Sequence, residues 1–196
     1  NLDQAYLETV SMLANAIEGR DPFTHEHVER VAKYARSLAV ALGWPAENLR
    51  MLEFGARLHD IGKITVDDRI LKKPGPLTPQ EWEKMRKHPT AGSSMIEGMM
   101  HLRNAVPYVL YHHERWDGTG YPQGLQGREI PIEGRIMAIA DVYDALTTAR
   151  PDHPPRKPSE VQLYLKMKAG TQFDPELVDI FLSLLNEREP QKEPLP

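Results

Sequence analysis

Apolar residues recur at helical spacing through most of this 196-residue chain, and no segment alternates clearly enough to read as a strand. Val28, Val31, Ala35, Leu38 and Leu42 form one stripe, closed by Gly43. Leu49, Leu52 and Ala56 mark a helix over 46–60, and Leu2, Tyr6, Val10, Leu13 and Ile17 mark an amphipathic first helix ending near Gly19. After a Pro/Gly-rich loop over 72–79, Thr78-Pro79 with Glu81 supplies a cap, a first-turn proline and a capping box. Short helices are expected around 81–87, 90–99 and 104–114. The stretch 116–131 holds four glycines and two prolines and reads as a loop. A buried helix follows over 133–148 along Ile136, Ile139, Ala140 and Tyr143, and Asp174-Pro175-Glu176 opens a last helix through Leu185. The expected fold class is all-α: one compact helical domain over 21–187. A helix over 1–20, of a kind that continues from an upstream sensor domain, precedes it, and a loose polar tail over 188–196 follows.

The chain holds no cysteine, so no disulfide framework is needed and any metal must take nitrogen and oxygen donors. Net charge is -4, with no basic block, which argues against duplex nucleic acid as a partner. No apolar run approaches the roughly 18 residues of a membrane span, and no signal-peptide pattern is present. A cytoplasmic location is the expectation.

The chain's eight histidines are concentrated at particular points in this pattern. His59-Asp60 closes one helix, His112-His113 closes another, His88 follows a short helix, and His27 lies on the apolar side of the second helix, four residues before Val31. Asp141 interrupts an otherwise apolar helix, where an unpartnered carboxylate costs several kcal/mol. Singly, each histidine reads as a satisfied core or surface residue, and Asp141 as a salt-bridge partner. Together, His27, His59, Asp60, His88, His112, His113 and Asp141 exceed what one ion takes from a protein. They suit two ions with a shared carboxylate. Imidazole and carboxylate donors fit Fe or Mn first, with Ni, Co or Zn also compatible. Two such ions activate water and stabilise a phosphoryl displacement.

These residues fall in an ordered set. Asp21-Pro22-Phe23-Thr24 leads to His27, followed by His59-Asp60-Ile61-Gly62-Lys63 and His88-Pro89 with Gly92. His112-His113-Glu114-Arg115-Trp116-Asp117-Gly118-Thr119-Gly120-Tyr121-Pro122 comes next, then Ile139-Ala140-Asp141-Val142-Tyr143-Asp144, Arg150-Pro151 and Gly170-Thr171-Gln172-Phe173-Asp174-Pro175. The set resembles the HD-GYP group of HD-domain metal phosphohydrolases over nearly the whole chain. The resemblance implies a compact HD-domain bundle around a dinuclear metal centre that hydrolyses cyclic di-GMP. It implies His27, His59, Asp60 and Asp141 around one ion, and Asp60, His88, His112 and His113 around the other, with Asp60 bridging. Lys63 and Arg150 would meet phosphate, with Lys63 and Asp60 in catalytic roles, and Tyr121 would line the substrate pocket. Asp144 is a candidate outer partner of the metal shell. Glu114 and Arg30 read as structural ion pairs, Trp116 as packing, and His25 and His101 as solvated.

Two other readings stand beside an active phosphodiesterase. One is a non-catalytic cyclic dinucleotide receptor, or a signalling module that docks proteins through the loop 116–131. The other is an HD-type phosphohydrolase acting on a different nucleotide. A homodimer through the N-terminal helix is a further expectation.

Two positions depart from the resemblance. His153 stands where a second basic residue often follows the Arg-Pro pair, in a segment stiffened by Pro154, Pro155 and Pro158. Phe23 stands where some relatives carry a glutamate that helps hold a third metal. Phe23 is four residues before His27, one helical turn away, and brings no donor atom. The expected product of cyclic di-GMP is therefore linear pGpG, with GMP forming slowly, because no third cation holds the new terminal phosphate. A chromatographic time course checks this; rapid conversion to GMP, or three ions per loaded chain, would overturn it.

Overall fold

The computed structural model of the chain describes residues 12, 25–149 and 154–188. The predicted first helix, apart from an exposed helical Met12, lies outside these residues, as do Phe23, Arg150, His153 and the tail from 189. The described residues are helical, with two isolated backbone bridges and no strand. No described helix is long and apolar enough to cross a membrane.

Helix α1 (His25–Ala41) carries the expected stripe, with Val28, Val31, Ala35 and Leu38 buried. Helix α2 (Ala46–Leu58) stops two residues short of its expected end: His59 still has helical backbone angles, but the chain leaves the helix at Asp60 and tightens into a 3-10 turn over Ile61–Thr65. Helix α3 (Asp68–Leu71) was not expected; Asp67 caps it by accepting the Arg69 N–H at 2.8 Å. Helix α4 (Pro79–Met85) begins on the predicted capping box, with the Thr78 N–H on the Glu81 carboxylate at 2.7 Å and the Glu81 N–H on the Thr78 hydroxyl at 3.3 Å.

Helices α5 (His88–Ile96) and α6 (Val106–Tyr111) are shorter than expected, and a 3-10 turn over Arg103–Ala105 leads into α6. Helix α7 (Ile132–Thr147) matches the predicted apolar helix. Helix α8 (Pro158–Lys168) is absent from the sequence reading, which treated its prolines only as stiffeners. Pro158 instead occupies the first turn, where its missing N–H has no consequence, and Glu160 accepts the Lys157 N–H at 3.3 Å. Helix α9 (Pro175–Arg188) closes the described chain.

The main core joins α1, α2, α7, α8 and α9 through Val31, Leu38, Leu52, Ile136, Leu165 and Phe181. A smaller cluster of Phe54, Leu58, Ile96, Leu102, Ala105 and Val109 fixes α5 and α6 on α2. This arrangement brings the C-terminal ends of α2, α4 and α6 to one place. The tightest point is at Gly62, where an added Cβ would lie 1.8 Å from the His88 carbonyl oxygen and 2.6 Å from the Gly92 nitrogen. Backbone meets backbone there, and no flexible side chain can yield. Gly62→Ala is expected to lower stability by about 1–3 kcal/mol or more through overpacking, read as a drop in the thermal midpoint. An unchanged midpoint would show that the turn and α5 part without cost.

Candidate metal centre

Three imidazoles are fixed by one local device. Each follows a helical turn and sets its Nδ1 on the carbonyl three residues earlier: His59 on Ala56, His88 on Met85 and His112 on Val109, each at 2.8 Å. A carbonyl only accepts, so Nδ1 carries a proton in each ring and Nε2 is turned to the cluster, where it presents a lone pair whenever the ring is neutral. His27 achieves the same end differently, with Nδ1 2.6 Å from the Asp144 carboxylate.

The Nε2 atoms converge on Asp60. His88 and His112 approach Oδ1 at 3.2 and 3.7 Å, and His59 approaches Oδ2 at 3.4 Å. Asp141 stands on the far side, 3.5 Å from His27 Nε2 and 4.0 Å from His59 Nε2. One ligand atom from each of Asp60, His88, His112 and His113 lies within 4.8 Å of the others, and so do atoms of His27, His59 and Asp60. The two sets share Asp60.

The cluster sets nitrogen against nitrogen: His88 Nε2 and His112 Nε2 lie 3.3 Å apart. His59 Nε2 is buried and has no hydrogen-bond partner. Burial and the neighbouring His112 and His88 hold His113 well below the usual imidazole range, and burial also lowers His112. Burial opposes charge on His59 as well, but the carboxylates of Asp60 and Asp141 outweigh it and pull His59 up to about 9. Asp60 remains ionised despite its burial, because Lys63, 2.6 Å away, and His59 hold it well below the usual carboxylate range. Imidazole Nε2 atoms converging on an ionised carboxylate fit divalent cations.

Two expectations change in detail. Asp141 was read as the buried acid of α7, yet its side chain is 19% exposed, facing the cluster. The buried acid is Asp144, 1% exposed, three residues on and turned toward α1. Arg30 places Nε on Asp144 at 2.5 Å and Nη2 at 3.2 Å, so the expected Arg30 ion pair exists and braces His27 through Asp144. Among the described residues Glu114 has no ion pair. It is buried and accepts the backbone N–H groups of Gln123, Gly124 and Leu125 at 2.7, 3.1 and 3.1 Å. A cationic partner is unnecessary because the turning loop aims three donors at one point.

Glu114 thus ties the glycine-rich loop to the residue after His113. Gly120 completes the fit, since a Cβ there would lie 2.3 Å from the Arg115 nitrogen and 2.6 Å from Glu114 Cα. Tyr121 is thereby set on the His113 ring, 4.8 Å between centroids and inclined by 28°. Trp116 is half-buried, and its backbone N–H donates to the Gln172 carbonyl at 3.2 Å. His101 is exposed.

Comparison with known proteins gives a consistent picture. The family model described as "HD domain" matches residues 11–177. The chain is 44% identical over 177 residues to the cyclic di-GMP phosphodiesterase response regulator RpfG of Xanthomonas campestris pv. campestris, covering 89% of this chain and 47% of that protein. It is 43% identical over 183 residues to a cyclic di-GMP phosphodiesterase of Thermotoga maritima, covering 92% and 49%. The chain therefore spans about half the length of these curated relatives. Its fold is similar to the crystal structure of a cyclic GMP-AMP specific phosphodiesterase of Vibrio cholerae, V-cGAP3, with a TM-score of 0.69 at 20% identity, covering 92% of this chain and 48% of that one.

The Glu114 cradle generates a direct test. In Glu114→Gln one oxygen remains for three donors, and the charge is lost. Hydrogen bonds to a charged acceptor contribute roughly 1.5–3 kcal/mol, so amide exchange at 123–125 is expected to accelerate about 10- to 150-fold. Unchanged protection of those amides would remove Glu114 as the anchor of the loop.

Proposed function

We propose that this chain, which belongs to the HD-domain family and to the HD-GYP group marked by Gly120-Tyr121-Pro122, hydrolyses a cyclic dinucleotide with two bound metal ions, cyclic di-GMP first among the candidates and linear pGpG the main product. The observation that carries the reading is the convergence of Nδ1-locked imidazoles on the shared Asp60 carboxylate. His27, His59, Asp60 and Asp141 would hold one ion, and Asp60, His88, His112 and His113 the other. Bound divalent ions lower the pKa of water and polarise a phosphoryl oxygen. Iron and manganese suit the donor set best.

The chain's own residues do the positioning. Asp144 keeps His27 oriented, and Arg30 keeps Asp144 ionised. Lys63 brings a cation to the edge of the cluster, where a phosphate oxygen would arrive. Tyr121 walls the cluster beside His113. Arg150, outside the described residues, is proposed as a second phosphate contact. Substrate recognition of this kind needs no duplex nucleic acid, and the proposed setting is bacterial second-messenger signalling in the cytoplasm. The complete donor set favours an enzyme over a receptor. Incubating metal-loaded protein with cyclic di-GMP and separating the products tests the reading: turnover supports it, and binding without turnover would replace it with a receptor.

Metal content supplies a second check. The parent is expected to carry about two ions per chain. Asp60→Ala is expected to empty both positions and His88→Ala mainly one; elemental analysis of a His88→Ala protein matching the parent would break the assignment. Uptake is also expected to be proton-linked. His59 holds a proton up to about pH 9 without metal, so an incoming ion displaces it at neutral pH, and apparent affinity falls as pH drops from 9. Proton release during a metal titration at constant pH measures this.

A further inference from the structure

Helix α4 and the residue that caps it carry an aromatic and a cation that have no part in the metal centre. Trp82 and Arg86 are four residues apart, on one face. Helix α4 buries none of its residues, so neither side chain is needed to hold it in the core. Trp82 is nevertheless 45% exposed beside the signature loop, with its ring 6.2 Å from Tyr121 and inclined by 81°. At that angle the two rings do not stack, and the indole remains substantially exposed. The Arg86 guanidinium lies over the Tyr121 ring, 5.0 Å from its centroid. Its ion pair with Glu83, 3.2 Å on the surface, is of a kind worth little and easily exchanged. Tyr121 in turn stacks on His113. A continuous line therefore runs from the metal cluster through His113 and Tyr121 to Arg86 and Trp82.

We propose that Trp82 and Arg86 form a base-and-phosphate subsite at the end of this line. A purine base of the cyclic dinucleotide stacks on the exposed indole, and Arg86 meets the phosphodiester that is not under attack. The subsite rests on the reading of the chain as a cyclic dinucleotide phosphodiesterase. A flat π surface tolerates any base, while a guanidinium beside it selects a ligand that carries a second phosphate. Small phosphodiesters without bases reach the cluster but not this platform, so the subsite acts on capture and leaves the chemical step alone.

Steady-state kinetics of the metal-loaded chain on cyclic di-GMP, with metal content measured for each variant, test the proposal. Trp82→Ala is expected to raise KM about 5- to 150-fold, the range for loss of one base stack. Its kcat is expected to stay within about twofold of the parent. Trp82→Phe keeps a ring and restores most of the loss. Arg86→Ala is expected to raise KM by about 10- to 150-fold, with Arg86→Lys between it and the parent. An unmoved KM in both alanine variants overturns the subsite, as does a fall in kcat at constant KM, which marks a structural role. A parent chain that neither binds nor turns over cyclic di-GMP removes the functional reading and the subsite with it, whereas an active parent with indifferent variants removes the subsite alone.

Discussion

Asp60 is the constraint on which the rest of the molecule depends. Its carboxylate is the meeting point of imidazoles delivered by the ends of α2, α4 and α6, and it stays ionised in a half-buried place only because Lys63 and His59 stand beside it. A carboxylate withdrawn from solvent loses hydration, so the surrounding groups must supply what water does not. The packing of the two hydrophobic clusters brings the ends of α2 and α6 and the start of α5, where His88 stands, within reach of one side chain. The backbone contact at Gly62 fixes how closely the turn carrying Asp60 can approach His88.

The histidines are held by a repeated economy of means. Where a helix runs out, its last carbonyls lack intrahelical partners. An imidazole just beyond the end takes one of them with Nδ1, satisfying the orphan acceptor and orienting its own Nε2 at once. The same bond thus caps a helix and fixes a tautomer. Asp144 performs the second task for His27, which lies inside a helix and finds no free carbonyl.

Much of this was legible in the chain. The stripes of α1 and α7, the capping box of α4 and the ordered His/Asp set are local patterns, and local patterns survive into the fold. The HD-domain assignment followed from the order of the motifs. Other parts depended on partners distant in sequence. Asp141 and Asp144 are indistinguishable in an apolar helix until α1 shows which one faces Arg30. Glu114 read as an ion-pair partner because an isolated acid suggests a cation; its three amide donors come from a loop whose course no periodicity encodes. Helix α8 is weakly marked in the sequence: Lys157-Pro158-Ser159-Glu160 is a start signal, but only Val161 and Leu165 behind it are buried, and the preceding run of prolines reads equally as an extended segment. Trp82 gave no signal at all, since a single exposed aromatic is ordinary until its neighbours are known.

The way Glu114 holds the loop has a consequence for how such a site can diversify. Its carboxylate grips main-chain N–H groups, which every residue except proline possesses, and is blind to the side chains attached to them. Positions 123 and 125 can therefore change their chemistry while the path of the loop, and with it the seat of Tyr121 on His113, is preserved. The rigid part of the site and the adaptable part occupy the same few residues, one written in backbone and the other in side chains.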